Sequence, residues 1–405
     1  MQNNSVQKVR KDLPFLEGIT YLESASVSPA PVPVIQSMND YFSKYPYNYG
    51  VGVFSASREL IKKVDEAREK VAEFIGAGSS KEVVFTKNTT EAINMVARGL
   101  RWSSGDEVIA TNIEHQSNLI PWMRLAKEFG VSLKIVKADG EGMVDPKQIE
   151  DNIGPNTKLI TVTHLSNVFG TIQKVEEIGK IVKKHGILYM IDAAQSAGRM
   201  PLDVRAIGCD FMAFCGRKAL MGPQGTGFLY GRESLLEKLE PLSTGSRAGN
   251  VINESSYRST DLPHRFEAGI LNTPGVIGLG RSIEYLNEIG MENIRLRNRE
   301  LSKLMISGLE EIEGVEVYGA RDVGVQGGII SWNIDGMDFH EVARSLDEKE
   351  RIFVASGAQG TYLGVKEFGV NGVVRTSVHY YNTEEELTKL FGTVRELIKR
   401  SVGRL

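Results

Sequence analysis

Between residues 82 and 230 the chain passes through a series of short apolar runs, and helical-period segments fall between most of them. The runs are EVVF (82–85), EVIAT (107–111), SLKIV (132–136), LITVTH (159–164), ILYMID (187–192), FMAF (211–214) and GFLY (227–230). Several are apolar at consecutive positions. Such a strand has no polar face to give to water, so it belongs in a sheet covered on both sides. The intervening segments supply the cover. TTEAINMVARGL (89–100) puts Ile93, Val96 and Leu100 on one helical face, and further helices are expected near 118–129 and at VEEIGKIVKKHG (175–186). Strand and helix alternating at this spacing predict an α/β domain with a seven-stranded, mainly parallel sheet.

The last third has a different rhythm. A long helix is expected from near Gly275 through RSIEYLNEI, and another over 295–313. Then come VEVYG, GIISWNI, a helix at 338–350, IFVAS, VVRTSVHYY and a final helix. Asn382 with Glu385 three residues on reads as that helix's capping box. This is the pattern of a smaller α+β domain. The expected division is an N-terminal arm (1–15), a large domain (16–285) and a small C-terminal domain (286–405). A chain of 405 residues has room for two cores.

Composition narrows the function. A net charge of −3 carries no basic footprint for nucleic acid or an anionic membrane. No apolar run approaches the ~18 residues of a membrane span. The start, MQNNSVQKVRKDLP, has no apolar segment of the kind a secretory signal needs. The two cysteines, Cys209 and Cys215, form neither a disulfide framework nor a CxxC pair, and no metal site is expected. A cytoplasmic protein fits these features.

In open α/β sheets ligands bind beyond the carboxyl ends of the strands, so the polar residues there are the candidates. Asn88 and Glu91 after the first run mark a helix start, and Thr89 and Thr90 add hydroxyls to its free N–H groups. That suits a phosphate, and it equally suits an ordinary cap. His115 follows the second run and Asn167 the fourth. Asp192 ends the fifth, with Gln195 three residues later. Lys218 follows the sixth, amid AFCGRKALMGPQGTGFLYG. It is either a loop charge or a covalent attachment point. A phosphate cup, a strand-end carboxylate and a strand-end lysine are together the parts that pyridoxal phosphate needs.

Five stretches, THLSNVFGTIQKVEEI, IDAAQSAGRMPLDV, CDFMAFCGRKALMGPQGTGFLYG, PHRFEAG and VRTSVHYYNTEEEL, resemble the class V aminotransferase family of fold-type-I pyridoxal phosphate enzymes. Within it they are most similar to the cysteine desulfurase and selenocysteine lyase branch. The resemblance runs from about residue 21 to the final helix. It implies a homodimer acting on an amino acid, with these roles. Lys218 forms the Schiff base and moves the substrate's α-proton. Asp192 pairs with the pyridinium nitrogen. His115 stacks on the ring, and Gln195 bonds its 3-hydroxyl. Asn167 lies beside cofactor and substrate. Thr89 and Thr90 hold the phosphate, with Cys215 and Arg217 in the same cup. Arg375 takes the substrate carboxylate in a bidentate pair.

The chain departs from that branch in several places. Cys215 and Arg217 stand where the branch has serine and histidine. Ile270 replaces a threonine that serves the partner subunit's phosphate, and the charge of Arg217 is a candidate compensation. The loop 354–372 should carry the cysteine that accepts sulfur, but it has none, and Gly360 stands at the matching position. Phe54 and Val51 are expected to make one wall of the site apolar. The expected reaction is therefore β-elimination, as in a C–S lyase, or transamination without a persulfide. Alternatives are a cysteine desulfurase using Cys215, an amino-acid epimerase, or a non-catalytic scaffold or binding homologue.

Overall fold

The computed structural model describes residues 2–50 and 52–402. Its centre is a seven-stranded sheet in the order Val83–Thr86, Gly227–Gly231, Phe211–Cys215, Leu188–Asp192, Thr157–Thr163, Glu107–Thr111, Ser132–Val136. All neighbours are parallel except Gly227–Gly231, which runs antiparallel to both strands beside it. The seven apolar runs are these seven strands. The five residues of Phe211–Cys215 are all buried, as are those of Glu107–Thr111. Helices cover the two faces. Thr89–Gly99 packs Ile93 and Val96 against Val84, Met190 and Leu229, whereas Val175–His185 packs Ile178 and Val182 into a second cluster with Ile160 and Ile191. Each fully buried aliphatic side chain of this kind contributes about 1.5–3 kcal/mol.

Six strands point the same way, so Thr86, Thr111, Thr163, Asp192 and Cys215 end along one edge. That edge carries the site described below.

The C-terminal third forms a four-stranded antiparallel sheet in the order Val315–Tyr318, Ile329–Ile334, Val373–Ser377, Ala355–Gly357. The helices Met291–Glu310, Phe339–Glu350 and Glu384–Val402 pack on it through a core that includes Leu301, Trp332, Leu346 and Leu390. Residues near the N-terminus join this layer. Leu22 lies in the same core, and Thr20–Tyr21 pairs in parallel with Ile352–Phe353. The expected single strand IFVAS is thus two, because Ile352–Phe353 pairs with one partner and Ala355–Gly357 with another. The capping box of the last helix also sits one residue later than predicted. Thr383 Oγ1 accepts from the Glu386 N–H, and the Thr383 N–H donates to the Glu386 carboxylate. Asn382 instead donates to Tyr21 O and to Glu386, which ties the helix start to the N-terminal segment.

Among the described residues, no helix is long and apolar enough to cross a membrane.

Candidate active site

A cavity of about 180 Å³ opens at the carboxyl edge of the large sheet, facing the small one. The ten residues expected to bind cofactor or substrate line it: Thr89, Thr90, His115, Asn167, Asp192, Gln195, Cys215, Arg217, Lys218 and Arg375.

The helix Thr89–Gly99 aims its first turn at the cavity. Asn88 caps it, its side chain accepting from the Glu91 N–H at 2.9 Å. Thr90 Oγ1 donates to Ser117 Oγ at 2.8 Å. Thr89 Oγ1 is buried and has no partner among the described residues. The free amides of a first helical turn, with hydroxyls beside them, make an anion seat.

Asp192 is buried where its strand ends, and its Oδ1 accepts from the Ala194 N–H at 2.9 Å. Burial pushes its carboxyl above the usual range, against that N–H and the nearby Lys218. Lys218 is half-buried, and its amine makes no hydrogen bond or ion pair among the described residues. Burial lowers its basicity against the pull of Cys215 and Asp192, and Arg375 and Arg217 lower it further. An amine held this way is more often neutral, which is the nucleophilic form.

His115 accepts the Ser117 N–H at Nδ1. Burial, then Lys218, Arg375 and Arg217, bring its pKa down to about 4, so its imidazole is neutral at neutral pH. Gln195 donates to Ala25 O at 2.9 Å, while its Oε1 is buried without a partner among the described residues. Arg375 lies in the small sheet, buried, its guanidinium donating to Asn167 O and Ser26 Oγ at 3.1 and 2.7 Å. Its Nε has no partner among the described residues, and burial brings its pKa down to about 10. Arg217 donates from Nε to Ser26 O.

The three orphaned atoms match three parts of pyridoxal phosphate and its substrate. Thr89 Oγ1 suits the phosphate, Gln195 Oε1 the ring hydroxyl, and Arg375 Nε a substrate carboxylate. Unsatisfied buried polar groups are costly, so their clustering around one cavity points to a ligand that completes them.

The loop at the mouth is tied down. Asn167 Nδ2 donates to Gln359 O at 2.9 Å, Thr361 Oγ1 donates to Asn167 Oδ1 at 2.7 Å, and the Gln116 N–H donates to Gly360 O at 2.7 Å. Gly360 has φ +75°, and a Cβ built there would lie 2.6 Å from His115 Nε2. Gln359 lines the cavity beside it, with φ +51°.

Residues that sequence reasoning missed include Ser26, Ser117 and Gln359, all on the cavity wall, and Glu114 behind it. Glu114 accepts from Thr111 Oγ1, the Thr163 N–H and Asn118 Nδ2 at 2.6, 2.8 and 2.7 Å, which fixes Thr163 at the cavity edge. Burial pushes its pKa up to about 8, with those three bonds opposing and the Asp192 charge adding to the rise. Its signal in the sequence was adjacency to His115, in the segment IEHQSN. The expected apolar wall is corrected: Phe54 is 50% exposed, packs on Tyr47 and does not line the cavity. The segment holding it runs over the surface, where Tyr49 is covered by Arg247. Val51 lies outside the described residues.

Fold and site together define a pyridoxal phosphate enzyme of fold type I. The family model for class V aminotransferases matches residues 20–390, and the chain belongs to that family. It is 48% identical to a probable cysteine desulfurase of Methanothermobacter thermautotrophicus, over 96% of this chain and 98% of the relative. The apo cysteine desulfurase of Thermococcus onnurineus superimposes with a TM-score of 0.94 at 40% identity, covering 97% of this chain and 98% of that one. The cysteine desulfurase CsdA of Escherichia coli does so at 0.91 and 28%, with coverages of 97% and 98%. The cofactor is pyridoxal phosphate, and the enzyme is desulfurase-like.

Proposed function

We propose that this enzyme cleaves the C–S bond of cysteine or a related β-thio amino acid and does not carry the sulfur on its own chain. One observation carries this reading: neither cysteine is on the loop at the cavity mouth. Cys215 ends a sheet strand on the cavity floor, 6% exposed. Cys209 is 1% exposed, its thiol against Val204 O, and burial holds that thiol far above its usual range. A thiolate is the form that attacks sulfur, so Cys209 is inert.

When bound, pyridoxal phosphate supplies an electron sink conjugated to the substrate's α-carbon. The chain's residues do the rest. Arg375 grips the carboxylate with a planar fork. Lys218 Nζ takes the α-proton as a neutral amine. Asp192 would face the cofactor's positive charge at the sheet end, Thr89 and Thr90 would hold its phosphate, and His115 would lie beside its ring. The balanced outcome for cysteine is pyruvate, ammonia and sulfide, with one water consumed.

A second reading is a desulfurase that passes sulfur to a thiol outside the chain, leaving alanine. The names of the relatives favour it. The two are separated by incubating the enzyme with cysteine, with and without an added small thiol. Pyruvate and ammonia formed without the thiol support elimination. Alanine formed in proportion to added thiol supports the second reading.

The same reading includes a homodimer. Val53, Val251, Ile252 and Ile270, exposed at 79%, 83%, 65% and 74%, are among the apolar side chains that a second copy would cover. Sedimentation checks this, and a monomer that still turns over would contradict it.

A further inference from the structure

His379 is fully buried, close to the site but outside its cavity, and no step above uses it. Its ring is held on both edges. The Tyr380 N–H donates to Nδ1 at 2.8 Å, so Nδ1 carries no proton. The proton is therefore on Nε2, which donates to Ala219 O at 3.0 Å. One face stacks on Tyr381, with centroids 5.2 Å apart and planes 16° from parallel. Burial first, and the neighbouring Arg199 second, bring the imidazole pKa down to about 3, so the ring stays a neutral donor.

Ala219 follows Lys218 directly. Its carbonyl is confined from a second side by Gly198, where an added Cβ would lie 2.3 Å from the Ala219 carbonyl carbon and oxygen. The turn is closed by the Met221 N–H donating to Lys218 O at 2.9 Å, with Met221 at φ +57°. On its other side, His379 belongs to the segment that carries Arg375. The Asn382 side chain accepts the His379 N–H at 2.8 Å, and Arg199 donates to Val378 O at 2.6 Å. The ring thus bridges the turn that holds the reactive amine, in the large sheet's layer, and the strand that holds the carboxylate anchor, in the small one's.

We propose that His379 is a positioning residue: its Nε2–H bond to Ala219 O sets the distance between the Lys218 amine and the Arg375 guanidinium. A substrate held by its carboxylate then has its α-carbon within reach of the amine. The proposal rests on Lys218 moving the α-proton and Arg375 holding the carboxylate. Proton transfer is steep in donor–acceptor distance, whereas carboxylate binding is not, so loss of the bridge should slow the transfer and leave binding nearly intact.

The test uses the pyridoxal phosphate-loaded enzyme and L-alanine in heavy water, with exchange of the α-proton followed by NMR. This reads the proton transfer without any C–S cleavage. His379→Phe keeps a ring and removes the donor, and should slow exchange by about 10- to 100-fold. The concentration of alanine giving half the maximal rate should move less than about threefold. His379→Gln, whose amide reaches Ala219 O, should recover most of the rate, whereas His379→Asn, whose amide falls short, should not. Exchange at the parent rate in His379→Phe would overturn the proposal. So would equal rates in the Gln and Asn variants, a comparison that serves also if the Phe variant does not fold. No exchange in the parent enzyme would instead overturn the role of Lys218.

Discussion

The floor of the cavity and its mouth are built on different principles. The floor is strand ends: Asp192 and Cys215 end adjacent parallel strands, Lys218 lies in the turn three residues beyond Cys215, and the proposed phosphate seat is the first turn of a helix. Their positions are set by a sheet whose residues are almost wholly buried, so little can move them. The mouth is a loop fixed by three hydrogen bonds to Asn167 and Gln116, with the adjacent Gln359 and Gly360 both at positive φ. The floor holds the groups needed to move a proton and bind an anion. The mouth offers an amide and a glycine, and no nucleophile. On the proposed reading the floor would labilise the substrate, whereas the mouth has no thiol to accept its sulfur.

Breaking the floor should have the largest effect. Lys218→Ala is expected to lower kcat by more than about 10³-fold and to leave the cofactor unfixed by borohydride. Steady-state rates and mass spectrometry after reduction check both. Next is Arg375→Ala, which joins floor to small sheet. It should weaken amino-acid binding by about 2–5 kcal/mol while the visible band of the bound cofactor persists. A spectral titration with L-cysteine reads this.

Arg68 and Glu267 form a buried bidentate pair at 2.6 and 2.9 Å, beside the strand leading to the phosphate seat. Burial opposes the charge on Glu267, but Arg68, His264 and the Phe85 N–H outweigh it and hold the pKa down to about 2. Glu267→Gln should destabilise the fold by about 3–5 kcal/mol, since Arg68 is left buried and unpaired. The folded pKa lies below the unfolded value of about 4.3, so the stabilisation is complete above the latter and is lost as pH falls through about 2. Melting midpoints of parent and variant should therefore converge at the acid end. The smallest effect is expected at Cys215→Ser, which should lower kcat by no more than about fivefold, or ~1 kcal/mol, because serine is close to cysteine in size and presents a hydroxyl to the same cavity.

The floor was legible in the sequence because strand ends announce themselves. An apolar run that stops at Asp192, or just short of Lys218, fixes both the element and the edge where the polar residue sits. The mouth was legible only as an absence of cysteine. Gln359 and Ser26 escaped because they reach the cavity through tertiary contacts that no periodicity encodes: Ser26 by its bond to Arg375, Gln359 through the bond from Asn167. The shifted capping box has the same cause, since Asn382 is occupied by Tyr21, far away in the chain. Phe54 was misplaced because apolar identity says nothing about which surface a loop residue meets.

The fate of sulfur is tested most directly by turnover with L-cysteine followed by intact and peptide mass analysis without reducing agent. The expected result is unmodified Cys209 and Cys215, with sulfide released alongside pyruvate and ammonia. A stoichiometric extra sulfur on Cys215, formed as alanine accumulates, would contradict the account and make the floor cysteine the acceptor that the mouth lacks.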